Sequence, residues 1–163
     1  MSIEQYNIHL LNRYKETISD GEGIRYSLYL SGCTHHCPGC QNPASWDPTA
    51  GVLLTEPILS DIINEIKTNP LLDGITLSGG DPLFNPEGAL ALCRRLKEET
   101  GLNIWCYTGY TLEEIEASPS LSAVLEYVDV LVDGRFVQEE FDPTLSFRGS
   151  RNQRIIRLHE ENK

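Results

Sequence analysis

No apolar run in this 163-residue sequence approaches the roughly 20 residues that a membrane-spanning helix needs. No signal-like stretch opens it either: MSIEQYNIHLLNRYKETISD mixes charge and polarity too thoroughly for a secretory leader. A cytoplasmic setting, and hence a reducing one, is the expectation. Cysteine is scarce, and the total of five is odd, which argues against a disulfide framework in a chain of ordinary domain size. Positive charge is scarce as well. Thirteen Lys and Arg face 24 Asp and Glu, for a net charge of −11. A general nucleic-acid binder needs a basic footprint to displace counterions, so nucleic acid is excluded as the expected partner, as is a membrane. Internal repeats and low-complexity linkers are also lacking, and residues 1–163 read as a single domain.

What is present is an ordinary globular composition, 40% hydrophobic and 23% charged, in a chain long enough to bury a real core. Short apolar segments read as strands: Ile24–Leu30, Ile75–Leu77, Asn103–Tyr107, Tyr127–Val132 and Gln153–Leu158. Helical patterns fall between them. Pro57–Thr68 carries Ile58, Ile62 and Ile66 as one stripe. A second helix starts at Pro86 and stops at Gly101. Thr111–Ala117 opens with Thr-Leu-Glu-Glu, a capping-box pattern, and Leu121–Glu126 is a shorter turn. Alternation of this kind predicts an α/β fold with right-handed crossovers and a mostly parallel sheet. In such sheets ligands bind outside the carboxyl ends of the strands. That edge collects Cys33–Cys40, Gly79-Gly80, Thr108-Gly109 and Asp133-Gly134.

Three of the five cysteines crowd into Cys33-Thr-His-His-Cys37-Pro-Gly-Cys40. Thiolates suit zinc, copper(I) and iron–sulfur clusters, and a closed site wants four protein ligands. Cys33, Cys37 and Cys40 can hold three irons of a four-iron cubane and leave the fourth open to a substrate. Two other readings stand beside this one. In the first, His35 or His36 completes a structural zinc site in an adaptor protein, although His9 and His159, the other histidines, are isolated near the termini. In the second, the chain is an electron-transfer iron–sulfur protein, which needs a fourth ligand and no glycine-rich cofactor edge. Cys93 falls mid-helix and Cys106 mid-strand, positions of small buried hydrophobes rather than ligands. Trp105, Tyr107 and Tyr110 read as core and rim aromatics. Gly79 and Gly80 permit close backbone approach to a small ligand, while Asp81 either accepts from a ligand amine or caps the next turn. Arg148, Arg151, Arg154 and Arg157 form a basic patch on an acidic chain, either a solvated strand edge or a contact for a partner or ligand carboxylate.

Taken together, Cys-x3-Cys-x2-Cys after one strand and Gly-Gly-Asp-Pro after the next resemble the radical S-adenosylmethionine superfamily. Asp20-Gly-Glu-Gly-Ile-Arg25 is similar to the Asp-Gly-Pro-Gly-x-Arg segment of its glycyl-radical-enzyme activases, with Glu22 where proline is usual. Within that group the segments SGCTHHCPGCQNPASWD, LSGGDPLF, NIWCYTGYTLEEI, VDVLVDGRFVQEE and DPTLSFRGSRNQRII are most similar to the activating proteins of anaerobic (class III) ribonucleoside-triphosphate reductase. The resemblance implies a partial, open β/α barrel. It implies a [4Fe–4S] cluster on Cys33, Cys37 and Cys40, and S-adenosyl-L-methionine bound at its open iron. Gly79, Gly80 and Asp81 would border the methionine moiety, and Gly39 and Gln41, flanking Cys40, would lie against the cofactor. It further implies a low-potential electron donor such as flavodoxin, and a glycyl radical made on the reductase subunit. No side chain is required as a general acid or base.

Overall fold

The computed structural model describes residues 2–33 and 46–159. Seven strands form one mixed sheet in the order β3-β1-β2-β4-β5-β6-β7. In chain order the elements are β1 (His9–Thr17), β2 (Arg25–Leu30), β3 (Val52–Leu53), α1 (Glu56–Lys67), β4 (Gly74–Gly79), α2 (Pro86–Thr100), β5 (Asn103–Tyr107), α3 (Leu112–Glu116), α4 (Pro119–Ser122), β6 (Val130–Asp133) and β7 (Arg154–Arg157). The four central strands β2, β4, β5 and β6 run parallel. The flanking ones are antiparallel, β1 to both β2 and β3, and β7 to β6. The sheet is open: β3 and β7 are its two ends. Among the described residues no helix is long and apolar enough to cross a membrane.

The helix signals in the sequence act as expected. Thr55 accepts from the Ile58 N–H to start α1, Asn85 accepts from the Gly88 N–H ahead of Pro86, and Gly101 closes α2 in the left-handed conformation at φ +70°. Thr111 and Glu114 complete the capping box of α3. Two features go beyond the sequence reading. The segment before residue 20 forms the long strand β1, between β3 and β2, and the segment near the C-terminus returns antiparallel, because a loop rather than a crossover helix joins β6 to β7. Strand β6 also begins only at Val130, since Ala123–Tyr127 winds as a 3-10 turn closed by the Val128 N–H on the Leu125 carbonyl.

The two faces of the sheet differ in chemistry, and the cause is visible in the strands. Tyr26, Leu28 and Leu30 of β2, Ile75 and Leu77 of β4, Ile104 and Cys106 of β5, and Leu131 of β6 join one core with Leu59, Ile62, Ile63 and Ile66 of α1 and Leu92, Cys93 and Leu96 of α2. Each fully buried leucine or isoleucine there contributes about 1.5–3 kcal/mol. The alternate residues fall on the opposite face: Arg25, Ser27 and Tyr29; Thr76 and Ser78; Trp105 and Tyr107; Val130 and Val132. Strands of a parallel sheet covered on both faces are apolar throughout. Here the second face is largely polar and lines an interior.

Arg25 closes one end of that interior. It is 1% exposed, and its guanidinium donates to Thr76 Oγ1 at 2.7 Å, the Ile75 carbonyl at 2.9 Å, Asn103 Oδ1 at 2.6 Å and the Glu22 carbonyl at 2.8 Å. It also stands 5.3 Å from the centre of the Trp105 ring. Burial lowers its pKa to about 10, so it remains charged at neutral pH. Lysine has no planar fork to serve these acceptors together, and each buried group left unmet costs about 1–3 kcal/mol. Arg25→Lys is expected to lower unfolding stability by about 3 kcal/mol, read as a lower urea midpoint at unchanged slope. A loss below about 1 kcal/mol would show that the network does not hold the sheet.

Candidate active site

Register arranges the interior face in layers. Tyr29 pairs with Ser78, and Leu77 with Cys106, which puts Ser78 level with Tyr107. Tyr107 pairs with Val132, and Val132 with Ile155. The row Tyr29–Ser78–Tyr107–Val132 therefore crosses the sheet just below the carboxyl ends of the parallel strands. One layer down lies Ser27–Thr76–Trp105–Val130, and Arg25 seals the far end.

Above the top row the chain leaves β2 through Ser31 and Gly32 to Cys33, which is partly exposed. The Cys33 N–H donates to the Trp46 carbonyl at 3.3 Å, so both ends of the cysteine loop meet at this edge. Of the proposed ligands only Cys33 is described; His35, His36, Cys37, Gly39, Cys40 and Gln41 lie outside the described residues. Cys93 and Cys106 are fully buried between helix and sheet. Burial pushes the Cys93 thiol up to about 12 and the Cys106 thiol well above its ordinary value. Both stay protonated, as core residues do.

The Gly79–Asp81 turn is laid directly against this exit. The Gly80 N–H donates to the Leu30 carbonyl at 2.8 Å and the Asp81 N–H to the Gly32 carbonyl at 2.7 Å. Gly79 adopts φ +108°, and a β-carbon there would lie 2.2 Å from the Leu30 carbonyl oxygen, so only glycine fits. Asp81 is 2% exposed. Its Oδ1 accepts from the Leu83 N–H at 2.9 Å, and its Oδ2 from Thr108 Oγ1 and the Gly109 N–H, each at 2.9 Å. The cap that the sequence offers for Asp81 is present, and the same carboxylate ties the loop after β4 to the loop after β5. Asp133 does similar work two strands over, at the end of β6, accepting from the Leu112 N–H at 2.8 Å and from Arg154.

A cavity of about 730 Å³ lies over the top row. Its floor includes Asp20, Tyr29, Ser78, Gly79 and Tyr107, and its outer wall is the 136–149 segment. That wall is held by the stretch most distinctive in the sequence. Gln153 Oε1 accepts from the Gly149 and Ser150 N–H groups while its Nε2 donates to the Gly134 carbonyl. Asn152 donates to the Arg135 carbonyl, and Ser150 Oγ accepts from the Val137 N–H. Phe147 sits at φ +62°, a strained conformation for a large side chain, with its ring edge-on to Trp105 at 5.5 Å.

The basic patch divides. Arg154 pairs with Asp133 and Glu113, and Arg157 pairs with Glu22 at 2.6 Å. Arg148 lines the cavity, with Nη1 donating to the Gln153 carbonyl, and Arg151 is exposed. Sequence reasoning missed Asp20, Tyr29 and Ser78 as site residues and placed Tyr107 only as a rim aromatic. The signal that could have found Tyr29 is the alternation in Arg25-Tyr-Ser-Leu-Tyr-Leu30, in which Arg25, Ser27 and Tyr29 share one face.

The 4Fe-4S single cluster domain family matches residues 19–156. A protein of Haemophilus influenzae is 46% identical over 155 residues, covering 93% of this chain and 99% of its own. One of Escherichia coli K12 is 42% identical over 149 residues, covering 89% and 96%. One of Enterobacteria phage T4 is 36% identical over 140 residues, covering 83% and 85%. All three are named anaerobic ribonucleoside-triphosphate reductase-activating protein. With a cysteine loop leaving the sheet edge beside a glycine turn, and with likeness over nearly its whole length, the chain belongs to the anaerobic ribonucleoside-triphosphate reductase-activating proteins, within the 4Fe-4S single cluster domain family.

Proposed function

We propose that this chain activates an anaerobic ribonucleoside-triphosphate reductase by cleaving S-adenosylmethionine reductively and leaving a glycyl radical on the reductase. The observation that carries this reading is the meeting of the Cys33 exit with the Gly79–Asp81 turn at the top of a polar interior. A structural zinc site or an electron carrier has no use for that interior. The open sheet is then the partial β/α barrel of the radical S-adenosylmethionine type. The setting is cytoplasmic, and a low-potential donor such as flavodoxin supplies electrons.

The donor set fits a [4Fe–4S] cluster: Cys33 is partly exposed at the sheet edge while the two buried thiols are kept protonated. Cys33, Cys37 and Cys40 would hold it, and when bound it supplies the electron that splits S-adenosylmethionine into methionine and a 5′-deoxyadenosyl radical. The chain's own residues orient and enclose. Gly79 and Gly80 bring main-chain groups to the methionine moiety without a side chain in the way. Asp81 contributes by fixing that turn through its three bonds. By the family resemblance Gly39 and Gln41, flanking Cys40, would lie against the cofactor. Phe147, packed on Trp105, shields the interior from water, which a carbon radical chemistry requires.

Anaerobic reconstitution tests the reading by iron and sulfide content, methionine release and the glycyl-radical signal on added reductase. Cys33→Ala, Cys37→Ala and Cys40→Ala are each expected to abolish cofactor cleavage, whereas Cys93→Ala and Cys106→Ala retain the cluster. Cluster loss in a folded Cys93→Ala or Cys106→Ala protein would overturn the ligand assignment.

Gly80→Val separates cofactor binding from cluster binding. A β-branched side chain at the turn fills space needed by the ligand, so iron content is expected to stay at the wild-type level while cofactor affinity falls by about tenfold or more, a loss near 1.4 kcal/mol. The check is an electron paramagnetic resonance titration of the reduced protein with S-adenosylmethionine. Wild-type spectral changes at the same concentrations would remove Gly80 from the site.

A further inference from the structure

The top row of the interior holds a buried hydroxyl that no described residue uses. Tyr107 Oη is screened from solvent and has no hydrogen-bond partner among the described residues. Tyr29, two strands away in the same row, differs, because its hydroxyl donates to Asp20 Oδ2 at 2.7 Å. Burial, and next the negative charge of Asp20, push the Tyr107 phenol up. It therefore stays neutral, able both to donate and to accept. A buried hydroxyl without a partner costs free energy in the folded chain, and native proteins keep few. Phenylalanine would fill the same space without that cost, so the hydroxyl is accounted for by something that enters the cavity.

We infer that the Tyr107 hydroxyl hydrogen-bonds the main chain of the reductase segment that carries the target glycine, and so positions that segment for hydrogen abstraction. This rests on the radical transfer proposed above. Two features choose the partner over the cofactor. Cofactor anchorage begins at Cys33 and the Gly79–Asp81 turn, at the ends of β2 and β4, while Tyr107 lies one strand further, on β5. A glycine also offers no side chain to grip, so a segment presenting one has to be held by its peptide groups, and a neutral hydroxyl serves either a carbonyl or an N–H. Around Tyr107 the wall supplies Phe136, Phe141, Leu145 and Phe147, apolar surface for the residues that flank the glycine.

The test uses cluster-loaded protein and the intact reductase. Tyr107→Phe removes only the hydroxyl. The expected result is a half-saturating reductase concentration raised about fivefold to tenfold, with cofactor affinity and reductase-free cofactor cleavage within about twofold of wild type. Direct titration of reductase binding by calorimetry is expected to weaken by the same factor, and the melting temperature not to fall. An unchanged half-saturating concentration would overturn the inference. So would an equal loss in cofactor affinity, which would place the hydroxyl on the cofactor, or a lowered melting temperature, which would make it structural. Wild-type protein that cleaves no cofactor and forms no radical on the reductase would sink the proposed function itself; a working wild type with an indistinguishable Tyr107→Phe sinks this inference alone.

Discussion

The buried guanidinium of Arg25 is the interaction on which the interior depends. A sheet clad by helices on one face would ordinarily bury its other face against something apolar, and this one instead keeps a polar face open to ligands. Such a face cannot be left to flood from both ends. Arg25 stops one end by bonding to the turn before β2, to β4 and to β5 at once, with Trp105 stacked beside it. A charge is expensive in that position unless every donor is used. Here its donors find acceptors on three segments, so the cost of burial is offset by contacts that fix the spacing of the strands above it.

That plug leaves the carboxyl end of the sheet free to specialise. Four loops rise there, and those after β4, β5 and β6 are braced by carboxylates rather than by apolar packing: Asp81 joins the loops after β4 and β5, and Asp133 holds the start of α3 and the guanidinium of Arg154. Charge-assisted hydrogen bonds from backbone N–H groups are directional and short, so they set loop positions more sharply than side-chain packing can. On the proposed function, main-chain groups of Gly79 and Gly80 meet a small ligand, and that calls for such precision, because glycine provides none by itself.

Much of this was legible in the residues. Alternating strand and helix signals place α1, α2 and the capping box of α3 nearly where they are found, since each rests on local chemistry: a Thr or Asn cap, a proline in the first turn, a glycine at the end. The clustering of Cys33, Gly79-Gly80 and Thr108-Gly109 at one edge follows from parallel strand direction alone. The direction of β7 was not legible, because it depends on how the 134–153 loop folds back, and that is decided by long-range bonds of Gln153 and Asn152. Nor was β1, a strand with a mostly exposed alternation whose partner is chosen by β2. The unused Tyr107 hydroxyl could not be read at all. Its meaning lies in the absence of a neighbour, and only coordinates supply neighbours.

The turn before β2 shows how one departure from a family pattern is absorbed. Glu22 stands where the similar activases usually have proline, and proline would have fixed the backbone by its own ring. In this chain Gly21 and Gly23 take φ +138° and +81°, conformations that leave the turn floppy in the unfolded chain and costly to order. Two contacts hold it in the fold. Arg157 pairs with the Glu22 carboxylate from the opposite terminus of the domain at 2.6 Å, and Arg25 donates to the Glu22 carbonyl at 2.8 Å. The first is half exposed, worth at most about 1 kcal/mol and weakened by salt. The second belongs to the buried network and is not screened. The rigidity that proline would have supplied locally is thus supplied mainly from inside the sheet, and it makes the turn, like the strands, subordinate to Arg25.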